Sequence, residues 1–139
     1  MFRNDLMFPK DSYASTMNGF TTAIAFVTFA QLVLCYDEKY DKIDVDKIIE
    51  DDALFDAYID CMLDKGPCTA EHSPEFRKLL PEVVATACAK CSPIQKSHVR
   101  KTVMALQNKR PVKFQEFTAK YDPNGEYVAA FTDFVLEKE

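Results

Sequence analysis

The sequence predicts an all-α fold: one globular domain of about six short helices closing on an apolar core. Two observations carry this. Apolar residues recur three and four positions apart in segment after segment between Ile43 and Val135, and the period-two alternation that marks strands is absent. Helix-start signals, a capping side chain or a Ser-Pro step, stand ahead of these apolar runs. A chain of 139 residues without an internal repeat has room for one such core.

The first element is read as a targeting segment. Gly19 to Cys35, GFTTAIAFVTFAQLVLC, carries no charge and gives way at once to YDEKYDK. Its strongest apolar part has about the length of a signal-peptide h-region and falls short of the roughly 20 residues of a spanning helix. Val33 and Cys35 offer the small-residue spacing for cleavage before Tyr36. Residues 1–35 are therefore expected to be a secretory signal peptide, and residues 36–139 an extracellular domain without stable membrane insertion. The preceding MFRNDLMFPKDSYASTMN is long for an n-region, and its Arg3 and Lys10 are offset by Asp5 and Asp11, which makes Met17 an alternative start.

The helices follow in order. KIDVDKIIE places Asp44 as an N-cap, with Ile43 and Ile48 as the two halves of a hydrophobic staple. In DDALFDAYIDCMLD, Asp52, Asp56, Asp60 and Asp64 form one stripe at four-residue intervals, while Leu54, Phe55, Tyr58, Ile59, Met62 and Leu63 occupy the remaining arc. Like charges so spaced cost roughly a few tenths of a kcal/mol per pair, so burial of the apolar arc has to hold this helix, and the stripe reads as a solvated face. The third helix takes Ser73 as cap and Pro74 as first residue. Phe76, Leu79, Leu80, Val83, Val84 and Ala87 keep helical spacing straight across Pro81, so one bent helix with Pro81 outward is expected. Ser92-Pro93 opens the fourth, with Val99, Val103 and Leu106 on one face; it stops at Pro111, where Lys109 and Arg110 complement the dipole. Phe114, Phe117 and Tyr121 mark the fifth. After the turn DPNG, Tyr127, Val128, Phe131, Phe134 and Val135 mark the sixth.

Removal of the targeting segment takes Cys35 with it and leaves Cys61, Cys68, Cys88 and Cys91, an even set that reads as a disulfide framework. Three pairings are open in principle. Residues three apart on a helix have α-carbons about 5 Å from each other, so Cys88 and Cys91 can close locally. Cys61 can reach Cys68 because Gly66-Pro67 turns the chain back. Each such ring contributes about 2 kcal/mol. A four-cysteine zinc site pairs C-x2-C with C-x2-C, which the wider first spacing does not match, and a redox C-x-x-C wants a βαβ neighbourhood that is not visible here.

Charge and composition exclude other classes. A net charge of -5 with acidic and basic residues interspersed gives no basic stripe for nucleic acid. With 3 glycines there is no material for a phosphate cradle, and no cofactor is expected. His72, in a loop, and His98, on the fourth helix, have no Cys or Ser pattern beside them and read as surface residues, so no enzyme is expected.

Behind the signal peptide, KYDKIDVDKIIEDD, CMLDKGPC, CAKCSPIQK and KRPVKFQEFTAKYDPNGEY together resemble the insect chemosensory proteins, also called the OS-D-like or pheromone-binding-related family, over nearly the whole mature chain. The resemblance implies six helices around an apolar tunnel, with Cys61 joined to Cys68 and Cys88 to Cys91. It further implies a carrier of small apolar ligands, fatty-acid-like or pheromone-like, in extracellular fluid. A monomer is expected. The family's aromatic pocket positions fall on Tyr40, Tyr58, Phe114 and Phe131. Ile43, Ile48, Met62, Val83, Ala87, Val103 and Leu106, at inward stripe positions, complete the candidate ligand-binding set, and Met62 and Met104 suit an adaptable lining. Two departures stand out: the gap between Cys68 and Cys88 is one residue longer than usual, and Phe114 stands where many members have tryptophan.

Periodicity alone means a close-packed core; the tunnel comes from the resemblance. No Lys, Arg or His is found at the inward stripe positions, so ligand choice is expected to follow apolar area more than head group. The alternative function is a secreted developmental, signalling or protein-interaction factor of the same fold that binds another protein through its acidic face, without dedicated ligand transport.

Overall fold

The computed structural model describes residues 34–138. A 3-10 helix, Glu38–Lys42, leads into α1 (Val45–Glu50), α2 (Asp52–Met62), α3 (Ser73–Thr86), α4 (Pro93–Lys109), α5 (Pro111–Tyr121) and α6 (Val128–Leu136). No strand occurs among the described residues, and the six expected helices are all present. Within those residues no helix is long and apolar enough to cross a membrane. The signal-peptide reading falls almost wholly outside the described residues.

Short polar side chains start α1, α2 and α4 by satisfying amides that lack a partner in the first turn. Asp44 accepts from the Lys47 amide at 3.0 Å and Asp51 from the Leu54 amide at 3.0 Å. Ser92 and Gln95 form a reciprocal capping box at the start of α4. The expected cap at Ser73 is not one. His72 precedes the helix in the left-handed region (φ 58°), and Ser73, fully buried, turns its Oγ back to donate to the Ala70 carbonyl at 2.8 Å. Pro81 lies inside α3 on its exposed side, and the helix continues past it to Thr86.

Two helix ends prepare the disulfides. After α2 the Lys65 amide donates to the Asp60 carbonyl at 2.8 Å and the Asp64 amide to Cys61 at 3.2 Å, with Asp64 left-handed at φ 60°: a Schellman stop. Gly66 then passes so close to α2 that a Cβ there would meet the Asp60 Cβ at 3.3 Å. This return places Cys68 at 4.9 Å from Cys61, Cα to Cα, and the two are bonded. A second Schellman stop ends α3, where the Cys88 amide donates to Val83 at 2.9 Å and the Ala87 amide to Val84 at 3.4 Å. Ala87 and Cys88 are both left-handed, so Cys88 and Cys91 meet across a turn, 5.1 Å apart, and not along a helix as the spacing argument had it. The bonds join neighbours, and all four sulfurs are taken up.

The core centres on Phe55, Ile59 and Leu63 of α2 and its C-terminal edge, packed on Val84, Leu106 and Phe117; a second cluster of Val83, Phe134 and the Cys88–Cys91 bridge lies beside it. The opposite face of α2 is where the structure departs from expectation. Asp52 pairs with Lys109 at 2.7 Å and Arg110 at 3.2 Å, Asp56 with Arg110 at 2.9 Å and Lys113 at 3.0 Å, and Asp60 with Lys113 at 2.8 Å. Asp64 pairs with Lys120 and Arg77. The stripe is therefore an ion-pair seam against the end of α4 and the length of α5, not a simply solvated face. Hydrogen bonds from Arg110 and then Lys113 hold the Asp56 carboxyl down from 3.8 to about 2. Lys109 and Arg110 reach across to this seam, and Lys109 also donates to the Ile49 carbonyl at 2.7 Å.

Candidate functional site

The apolar stripes of the helices face one another across a cavity of about 180 Å³. Three helices supply most of its wall at the same i, i+3, i+4, i+7 spacing. They are Phe55, Tyr58, Ile59 and Met62 of α2; Phe76, Leu79, Leu80 and Val83 of α3; and Val99, Thr102, Val103 and Leu106 of α4. Val45 and Ile48 of α1, Phe117 of α5 and Phe131 of α6 close it, so every helix contributes. Tyr36, Tyr40 and Ile43 cover one side from the segment ahead of α1.

Of the candidate residues, Tyr40, Ile43, Ile48, Tyr58, Met62, Val83, Val103, Leu106 and Phe131 border this cavity. Ala87 and Phe114 do not. The stripe of α3 ends at Thr86, and the left-handed turn at Ala87 carries that residue to the cluster around the Cys88–Cys91 bridge. Phe114, one turn before Phe117 on α5, packs against the filled part of the core. Met104 is 47% exposed and lies off the wall as well.

Two expectations about polar groups fail here. His98 borders the cavity and is half-buried, and Gln95 and Thr102 border it too. Together with Val99, Val103 and Leu106 they complete one α4 stripe. Its period was visible in the sequence but is masked by the polar side chains at three of its positions. His72 is no free surface residue either, since its ring stands edge-on to Tyr40 at 5.5 Å.

Most polar lining groups are satisfied within the protein. Tyr58 donates to the Glu71 carbonyl at 2.7 Å, Tyr36 to Glu82 at 2.8 Å, and Thr102 to the His98 carbonyl at 2.8 Å. Gln95, buried, donates to the carbonyls of Tyr36 at 3.3 Å and Asp37 at 3.1 Å while its Oε1 accepts from the Ser92 amide. These bonds strap the covering segment to the start of α4, assisted by Tyr36 N to the Lys90 carbonyl at 2.9 Å and Ser92 Oγ to Asp41 at 2.8 Å. Burial, and then the bond to Glu82 and its charge, push the Tyr36 hydroxyl well above its ordinary value. Burial also pulls His98 down, helped by the Lys101 charge. What remains is a wall that offers a guest dispersion contacts and exclusion from water.

The fold and site define a class: a small, twice-stapled helical shell around an apolar cavity. The chain matches the model of the insect pheromone-binding family A10/OS-D over residues 36–129, and it belongs to that family. It is 38% identical over 96 residues to ejaculatory bulb-specific protein 3 of Drosophila melanogaster, covering 69% of this chain and 75% of that one. Allergen Tha p 1 of Thaumetopoea pityocampa is 38% identical over 98 residues, 70% of this chain and 77% of that one. Among solved structures, a chemosensory protein in complex with bromo-dodecanol superposes with a TM-score of 0.63 at 30% identity, over 70% of this chain and 97% of that one.

Proposed function

We propose that this protein is a secreted carrier that holds small, elongated apolar molecules in the cavity and moves them through extracellular fluid. The observation that carries the reading is the cavity itself, walled by apolar side chains from all six helices. The similar chemosensory protein in complex with bromo-dodecanol supports an alkyl chain as the guest. At about 180 Å³ the space is smaller than the roughly 300–1,000 Å³ common for ligand sites. A long chain therefore enters by displacing mobile side chains, for which unbranched Met62 is suited.

In this reading residues 1–35 are the signal peptide and 36–139 the carrier domain, acting as a monomer. Secreted protein should begin at or within a few residues of Tyr36, as N-terminal sequencing would show. The aspartate stripe of α2 is already paired with cations at the end of α4 and on α5, so a partner protein would have to dock elsewhere.

Ligand binding is tested by displacing a fluorescent apolar probe with a homologous series of straight-chain alcohols. Each added methylene is worth at most about 0.8 kcal/mol, so affinity should rise about threefold to fourfold per carbon until the cavity is full. Failure of every member to displace the probe, or affinity indifferent to chain length, would remove the carrier reading.

A further inference from the structure

The wall of the cavity is not held equally on all sides. Helices α2 to α6 each put at least one buried side chain into the protein interior, whereas no residue from Leu34 to Glu50 is buried. Within that stretch Tyr36, Tyr40 and Ile43 cover one side of the cavity. A segment with so little buried apolar surface opens at a lower free energy than the core helices beside it.

Its hold on the rest of the protein is largely polar. The Tyr36 hydroxyl donates to Glu82 of α3 at 2.8 Å, the Tyr36 amide to the Lys90 carbonyl at 2.9 Å, and Ser92 Oγ to Asp41 at 2.8 Å. Gln95 donates to the carbonyls of Tyr36 and Asp37, and Tyr40 adds ring contacts with Phe76 and His72. Glu82, Lys90, Ser92 and Gln95 bracket the Cys88–Cys91 bridge, and Tyr36 packs on the cluster around it, so the latch closes on a cross-linked support. The segment is itself a unit. Asp37 accepts from the Lys39 amide at 2.9 Å, and its carbonyl accepts from the Tyr40 amide at 3.1 Å. Ile43 follows in extended backbone (φ -74°, ψ 129°), and the Asp44 cap then pins the start of α1. That link is placed to absorb a rotation.

Resting on the carrier reading, we propose that Tyr36–Ile43 is a hinged lid through which the guest enters and leaves, turning about Ile43 when its bonds to Glu82, Lys90, Ser92 and Gln95 let go. The core cluster of Phe55, Ile59, Leu106 and Phe117 stays in place while it opens, so exchange of the guest is separated from unfolding. Each latch bond then sets a rate. Losing one populates the open state more, which speeds entry and exit together and leaves affinity, a property of the closed wall, nearly unchanged.

Stopped-flow kinetics of N-phenyl-1-naphthylamine, a fluorescent apolar probe, test this. Asp41 does not border the cavity, so Asp41→Ala removes the partner of Ser92 without altering the wall; Tyr36→Phe removes the bond to Glu82 and keeps the ring. Each should raise the association and dissociation rate constants about fivefold to tenfold, with Kd within about twofold of native. Asp56→Asn, on the ion-pair seam, loosens the fold elsewhere and should leave both rates within about twofold. Rates unchanged in both lid variants, an equal rise in Asp56→Asn, or faster exit with unaltered entry would overturn the lid and leave the carrier reading standing. Absence of probe binding to the native protein would remove both.

Discussion

Helix α2 has two faces that meet their surroundings in opposite ways. Phe55, Tyr58, Ile59 and Met62 are buried and border empty volume, whereas Asp52, Asp56, Asp60 and Asp64 are half-exposed or exposed and meet a dense row of cations. The hollow face forgoes packing: at about 24 cal/mol per Å³, 180 Å³ of cavity costs on the order of 4 kcal/mol. Two short disulfide rings, at roughly 2 kcal/mol each, offset a cost of that size. The difference teaches that stability here is moved out of the centre and into staples, turns and a surface seam, which leaves the centre free to take a guest.

The largest break in that comparison should come from the hollow face. Phe55 is 1% exposed, and Phe55→Ala should lose about 3 kcal/mol in chemical denaturation, because the wall already stands beside a void it cannot collapse into. Saturating dodecan-1-ol should return part of the loss by binding only the folded state.

A smaller effect is expected on the seam. Asp56→Asn weakens its pairing with Arg110 and Lys113 and should cost about 1 kcal/mol, less in high salt, with ligand affinity unchanged. The sign of its pH dependence follows from the depressed carboxyl. Its contribution is fully present above 3.8, the ordinary value, and is lost as pH falls toward about 2. Asp52 and Asp64 are shifted in the same direction by their lysine partners. Unfolding measured against pH should show this acid loss in the native protein and a shallower one in the variant.

The two faces also differ in how far the sequence revealed them. Local signals are legible: Asp44 as a cap, Ser92-Pro93 as the start of α4, and the turn at Gly66 that lets Cys61 meet Cys68 all act within a few residues of themselves. The apolar arc of α2 was legible from its period, although periodicity cannot distinguish a filled core from a hollow one. The seam was not legible, because Lys109, Arg110, Lys113 and Lys120 lie more than fifty positions from their partners and nothing in a helical period says which helices pack together. Ser73 was misread because a left-handed residue before a helix leaves no mark on composition when it is histidine rather than glycine. His98 was misplaced for a related reason, since polarity was taken as a sign of exposure on a stripe whose spacing pointed inward.

The central claim is that the guest occupies the space between the helices and not an apolar patch on the surface. Methyl-resolved NMR of the protein titrated with dodecan-1-ol tests it most directly. The account predicts that shifts concentrate on Ile48, Ile59, Leu80, Val83, Val103 and Leu106, which border the cavity. Ile94, Val112, Val128 and Leu136, exposed on the outside, should stay in place. Shifts confined to those four outer residues, with the cavity methyls unmoved, would contradict it.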